Sequence, residues 1–198
     1  MFSDETKVNM WGLDGPEYYW TDESSSNRPH TMKHKVQGNG GSVVYWGCMS
    51  SEGPRYDSFI TKGAIDSLAY QEVLQTSLLD TLEYYSKDSK QIRFQQDNAK
   101  PHTSASTRAW FDTHGFDSNA VCDWPAQSPD PNPIEHVWRY IKNKLDHYQE
   151  KPKNRTQLEK RINAEWNKLT ADDCCRYIDS MPRRIKDVIK SKGGPTKN

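Results

Sequence analysis

The chain has 198 residues, enough for one domain or one domain with a helical appendage. Only 33% of the residues are hydrophobic, yet 7 Trp, 10 Tyr and 5 Phe suffice to close a compact core. A net charge of zero, from 27 bases and 27 acids, excludes a uniformly basic nucleic-acid binder. No run reaches the roughly 18 apolar residues of a membrane helix and no charged-then-apolar leader marks secretion, so an intracellular protein is expected.

Met1-Phe2-Ser3 reads as the stump of a strand running into Asp4 and Glu5, and a strand at the very start implies an upstream segment. Residues 9–41 form a polar, glycine-bearing insertion with Tyr18-Tyr19-Trp20 as a short strand inside it. That is long for a plain connection, so the insertion is functional or disordered. Ser42 to Met49 is β-branched and aromatic and predicts a buried strand, with a shorter one from Tyr56 to Thr61. Asp66 is placed to cap a helix reaching Tyr85, in which Leu68, Val73, Leu74, Leu78, Leu79 and Leu82 recur at helical spacing.

Ile92 to Gln96 alternates like a strand and ends on Asp97. A helix from Ser104 to Thr113 and a short strand from Ala120 to Trp124 follow. After the proline-rich stretch 125–133, a long helix runs to His147, and two more cover roughly 155–169 and 172–190. The order predicts a mixed α/β sheet flanked by helices. The four cysteines, Cys48, Cys122, Cys174 and Cys175, lack ligand or bridging spacing and read as reduced, the first two inside strands.

Charge is unevenly spread. Residues 1–24 carry Asp4, Glu5, Asp14, Glu17, Asp22 and Glu23 against Lys7 alone, whereas residues 139–161 and 183–197 are dominated by Lys and Arg. An acidic front and a basic back suit a cation site beside a phosphate-binding surface. Ordinary solvated helix faces explain the same pattern more simply.

Three acids fall where α/β proteins gather their chemistry. Asp4 lies near the end of the first strand, Asp97 ends Ile92–Gln96, and Glu135 sits in the first turn of the helix after the proline-rich stretch. Three carboxylates converging there make an oxygen-rich site for hard cations such as Mg²⁺. A lone Asp after a strand is more often a turn or cap residue. Asn132-Pro133-Ile134-Glu135 also fits a capping box, with Asn at N-cap, Pro at N1 and Glu at N3. A capping Glu points back toward the helix start, so the two readings of Glu135 are compatible.

Phe2-Ser3-Asp4-Glu5-Thr6, Gly41-Ser42-Val43-Val44-Tyr45-Trp46-Gly47, Phe94-Gln95-Gln96-Asp97-Asn98-Ala99-Lys100-Pro101-His102 and the block from Asp123-Trp124-Pro125 to Asn132-Pro133-Ile134-Glu135-His136-Val137-Trp138 resemble, in order, the catalytic-domain motifs of Tc1/mariner-type transposases. The resemblance implies an RNase H-like catalytic domain over 1–150, with 9–41 as a clamp-like insertion and 151–198 as a helical extension. It implies that Asp4, Asp97 and Glu135 are both the catalytic triad and the ligands of two Mg²⁺ ions, with Mn²⁺ as a substitute. The activity implied is cut-and-paste DNA transposition: cleavage at the terminal inverted repeats, then transfer of the 3′-OH into a TA target. Its partners would be DNA and a second copy of the chain, with no membrane, in the nucleus of a eukaryotic host.

Lys100 and His102, just past Asp97, are candidate contacts to DNA phosphate, with helix capping as the plain alternative. Arg139 and Lys142 in the basic run are further candidates. Trp124 and Trp138 read as core. The 37 residues between Asp97 and Glu135 (98–134) exceed the usual Tc1-like interval. The surplus is expected near Gly115–Asn119. The helix-turn-helix domains that read transposon ends in this family have no counterpart here, so poor sequence specificity is expected. A retroviral-type integrase or RNase H nuclease would share the fold but not the Trp124–Glu135 block. A domesticated or inactive DNA-binding module is the other alternative, against which the intact acids weigh.

Overall fold

The computed structural model describes residues 1–10, 41–60, 65–117, 120–122, 124 and 132–191. Residues 11–40 of the insertion, 125–131 of the proline-rich stretch and 192–198 of the basic tail therefore lie outside the described residues. So do the expected strand Tyr18–Trp20 and part of the surplus near Gly115–Asn119.

Three antiparallel strands form the heart of the sheet: β1 (Phe2–Asn9), β2 (Ser42–Ser50) and β3 (Gly53–Ile60), in the order β1-β2-β3. The register sets Asp4 opposite Gly47 and Glu5 opposite Trp46. Ile92–Gln96, expected as a strand, contributes only bridges. Gln95 pairs in parallel with Phe2, and Phe94 in parallel with Val121. Ser3 N donates to Gln95 O at 3.1 Å, Gln95 N to Met1 O at 2.9 Å, and Cys122 N to Phe94 O at 2.8 Å. These bonds continue the sheet beyond β1 with mixed direction, and they bring Asp97 alongside the strand that carries Asp4.

Side chains of a strand alternate between faces, and β2 is buried on both. Val43, Tyr45 and Met49 join one cluster with Ile134, Trp138, Ile141, Leu158, Ile162 and Trp166. Trp46 and Cys48 join the other with Tyr70, Leu74, Leu78, Phe94 and Phe111. Gly47 is the close-packed point of the first face, since a Cβ there would meet the Trp166 ring at 2.6 Å and the Trp138 ring at 3.0 Å.

The predicted helix from Asp66 is present as α1 (Ser67–Val73), a π-helical turn (Leu74–Leu78) and α2 (Leu79–Tyr84). The Asp66 side chain accepts from Ala69 N at 2.8 Å, the N-cap the sequence implies. The wide turn brings Ser77 Oγ to 2.6 Å from Ser58 Oγ on β3. A short helix α3 (Lys100–Thr103) precedes α4 (Ala105–Thr113), and α5 (Ile134–Asp146) follows the proline-rich stretch.

α6 (Arg155–Trp166) starts at an Asn154 cap and packs Leu158, Ile162 and Trp166 into the first cluster. The single helix expected over 172–190 is instead two, α7 (Ala171–Asp179) and α8 (Met181–Lys190). Pro182, at the start of α8, has no N–H to give the preceding turn and would clash with it, so the helix breaks there. All four cysteines are free.

Candidate active site

Adjacent residues on β1 face opposite sides of the sheet, so Asp4 and Glu5 enter different environments. Asp4 looks toward α5. The Asp4 carboxyl forms a side-chain hydrogen bond with Glu135, although 130 residues (5–134) separate the two in sequence. Burial, with the charges of Glu5, Glu135 and Asp97 added, pushes the Asp4 carboxyl up to about 8. The backbone N–H of Glu5, donating to Asp4 Oδ1 at 2.8 Å, opposes the rise only in part. Burial also raises Glu135, against the pull of Asp4 and of the cations Lys142, Arg139 and Arg184. Two carboxyls sharing a hydrogen bond hold one proton between them, and a divalent cation can replace that proton.

Glu135 is no helix cap. Asn132 Oδ1 accepts from Ile134 N at 3.4 Å, so the asparagine caps the helix start as the sequence implies, with Pro133 between them. The other end of the same side chain reaches back to the sheet. Its Nδ2 donates to Ser3 O at 3.3 Å, tying the corner before α5 to the strand beside Asp4. The Asn132 half of the capping box is therefore present, while among the described hydrogen bonds the Glu135 carboxyl does not return to the Asn132 N–H and meets Asp4 instead.

Glu5 looks toward the other face and meets His102. The His102 ring is 4% exposed, with Nε2 3.3 Å from Glu5 Oε1 and Nδ1 2.5 Å from Asp97 Oδ1. It stacks on Tyr70 at 3.9 Å between ring centroids, and Tyr70 Oη donates to Gln96 Oε1 at 2.7 Å. Burial disfavours the imidazolium, but the bonds to Asp97 and Glu5 outweigh it and raise His102 to about 9. Asp97 in turn is held low by the His102 bond, and Ala99 N also donates to its Oδ1 at 2.9 Å.

The expectation that His102 touches DNA phosphate is corrected on these grounds. Both ring nitrogens are engaged by carboxylates, and the ring is closed off from solvent. Glu5, which the sequence reading passed over, is its second partner. The alternation of a strand beginning at Phe2 is the signal that could have found it.

The remaining candidates lie around the acids. Lys100 is exposed at the start of α3. Arg139 and Lys142 follow Glu135 by one and two turns on the same face of α5, Arg139 exposed and Lys142 half-buried. Trp138 is core, whereas Trp124 is half-buried and accepts from Asn98 Nδ2 at its carbonyl. Arg184, also overlooked, is buried beside Glu135. Among the described residues no three acids, histidines or cysteines are grouped tightly enough to form a ready-made cation cage.

Comparison with known proteins places this geometry in a class. Residues 1–159 match the family model of the DDE superfamily endonucleases. The Mos1 mariner transposase has the same RNase H-like fold. Its paired end complex with Mn superposes with a TM-score of 0.78 at 18% identity, over 98% of this chain and 56% of that one. The Mos1 catalytic domain with Raltegravir and Mg gives 0.69 at 20% identity, over 81% of this chain and 80% of that one.

Sequence relatives narrow the class. The chain is 34% identical to the Tcb2 transposase of Caenorhabditis briggsae, across 100% of its own length and 69% of the relative's. It is 33% identical to the Tc3 transposase of Caenorhabditis elegans, across 98% and 56%. The chain belongs to the Tc1/mariner transposases of the DDE superfamily. It spans about two thirds of Tcb2 and about half of the Mos1 chain it matches. No helix among the described residues is long and apolar enough to cross a membrane.

Proposed function

We propose that the chain is the catalytic domain of a cut-and-paste DNA transposase in which Asp4, Asp97 and Glu135 hold two divalent cations, Mg²⁺ by preference and Mn²⁺ as a substitute. The observation that carries this is that the elements bearing the acids are bonded together beside Asp4: Asn132 Nδ2, at the start of α5, donates to Ser3 O at 3.3 Å, and Ser3 N donates to Gln95 O at 3.1 Å, two residues before Asp97. The donor set fits. The oxygens are hard ligands, and a buried carboxyl pair short of positive charge gains from a cation. Both described hydrogen bonds to Asp97 fall on Oδ1, which leaves Oδ2 for a further partner.

Cations held there would activate a water, and later a 3′-OH, for in-line attack on phosphodiester while stabilising the leaving oxygen. The residues of the chain do the positioning. β1 fixes Asp4, the first turn of α5 presents Glu135, and His102 orients Asp97. Arg139, Lys142 and Lys100 would line the DNA backbone, where each neutralised phosphate strengthens binding and adds salt dependence. A Mos1 paired-end complex holds a left transposon end, which supports transposon-end DNA as substrate. A TA target, assembly as a dimer and a nuclear setting belong to the same proposal. Residues 1–150 would form the catalytic domain and 151–198 its helical extension.

The test is Asp97→Asn. It should abolish Mg²⁺- or Mn²⁺-dependent cleavage of DNA while leaving circular dichroism and non-specific DNA binding close to the parent's. Undiminished cutting by that variant would remove Asp97 from the site.

A further inference from the structure

α8 is an amphipathic helix whose attachment to the domain is unusual. Ile185 and Ile189 are 43% and 70% exposed, while its one buried residue is Arg184, 2% exposed. Taking a guanidinium out of water costs several kcal/mol unless charge and hydrogen bonds compensate it. Arg184 NH2 donates to Asn132 O at 3.3 Å. The same Asn132 donates from Nδ2 to Ser3 O, the residue before Asp4, and its carbonyl also accepts from Glu135 N at 3.3 Å. Asn132 is thus the joint between the strand carrying Asp4 and the helix carrying Glu135, and Arg184 is inserted beneath that joint.

We propose that Arg184 is a positioning residue for the Asp4–Glu135 pair, so that α8 is a working part of the site although it lies outside residues 1–159. The inference rests on the cation-site reading above. Arg184 Nη2 holds the Asn132 carbonyl, and Asn132 is the residue that ties the start of α5 to β1. A buried cation at that joint leaves the solvent side, where divalent ions and DNA would enter, unoccupied. Groups that orient metal ligands typically change metal affinity by about 10–100-fold when removed.

The experiment compares the whole chain with Arg184→Met and Arg184→Lys. Mn²⁺ binding is measured by calorimetry, and cleavage is measured as separate kcat and KM for DNA. Expected is a Mn²⁺ affinity about 10–100-fold weaker in the Met variant, partly recovered in the Lys variant, with kcat reduced and KM for DNA unchanged because Arg184 is buried.

A folded Met variant with parental Mn²⁺ affinity would overturn the inference. If that variant does not fold, parental affinity in Arg184→Lys would overturn it just as well, since lysine keeps the charge but loses the fork. A parent that binds no Mn²⁺ would instead overturn the cation-site reading, and this inference with it.

Discussion

The ring of Trp166 lies against the backbone of Gly47, 2.6 Å from where a Cβ would stand. Trp138, stacked on Trp166 at 5.7 Å between centroids, closes the other side at 3.0 Å. Neither indole has room to retreat, because both are buried in the same cluster. Gly47→Ala should therefore cost about 1–3 kcal/mol, the usual range for overpacking. Thermal unfolding checks it. Because Gly47 is paired with Asp4, the variant should also cleave DNA more slowly than its stability loss alone explains.

Removing His102 should do more damage. His102→Leu preserves bulk against Tyr70 but leaves Glu5, whose side chain is only 15% exposed, without its cation. Breaking a buried pair in this way costs about 3–5 kcal/mol. Glu5→Gln placed on top of it should restore part of that loss, with a coupling energy in the range of about 0.5–3 kcal/mol. Strictly additive effects in denaturant melts would show that the two residues do not act together.

Asp4→Asn should raise the melting temperature of the metal-free protein at neutral pH, because the folded Asp4 carboxyl, raised to about 8, must take up a proton that the unfolded chain does not carry, and Asn removes that cost. In the parent, Mn²⁺ at about 100 times its Kd should add about 2.7 kcal/mol of stability. The Asn variant should show little of that gain. Equal Mn²⁺ shifts in the two proteins would place the ion elsewhere.

Asp57, on β3 and across Gly47 from Asp4, supplies a pH dependence of its own. Burial raises its carboxyl to about 6, from 3.8 when unfolded. The folded state then favours the protonated form. The stability this contributes is full below pH 3.8 and is lost as pH rises through about 6. Asp57→Asn, which mimics the protonated carboxyl, should match the parent near pH 4, flatten the stability curve between pH 4 and 6, and be the more stable of the two above pH 6. Melts across that interval decide the matter.

Much of this was legible from residue patterns. The β-branched run Ser42–Met49, the Asp66 cap and the leucine repeat of α1 and α2 are local signals, and local signals survive in the fold. The three acids were legible through motif context, since each alone is an ordinary turn or cap residue. The break between α7 and α8 is equally legible in Pro182, which has no N–H for the preceding turn. The partners of His102 and Arg184 were not legible in the same way. His102 is separated from Glu5 by nearly half the chain, and Arg184 meets Asn132 across 52 positions. Asn132 is legible as the cap over Ile134 N, but its second bond, to Ser3 O on a distant strand, is not.

The two-sided burial of β2 limits how this domain can change in length. Inserting one residue ahead of Asp4 would turn Glu5 toward α5, Asp4 toward His102, and every neighbour on the strand to the wrong core. Deleting one would do the same. The first acid can therefore be altered only by substitution, never by a shift along the strand. Length variation is channelled into connections whose ends are anchored independently. The 37 residues between Asp97 and Glu135 (98–134) include such connections outside α3, α4 and the Asn132 joint, and additions confined to them leave the meeting of the acids undisturbed.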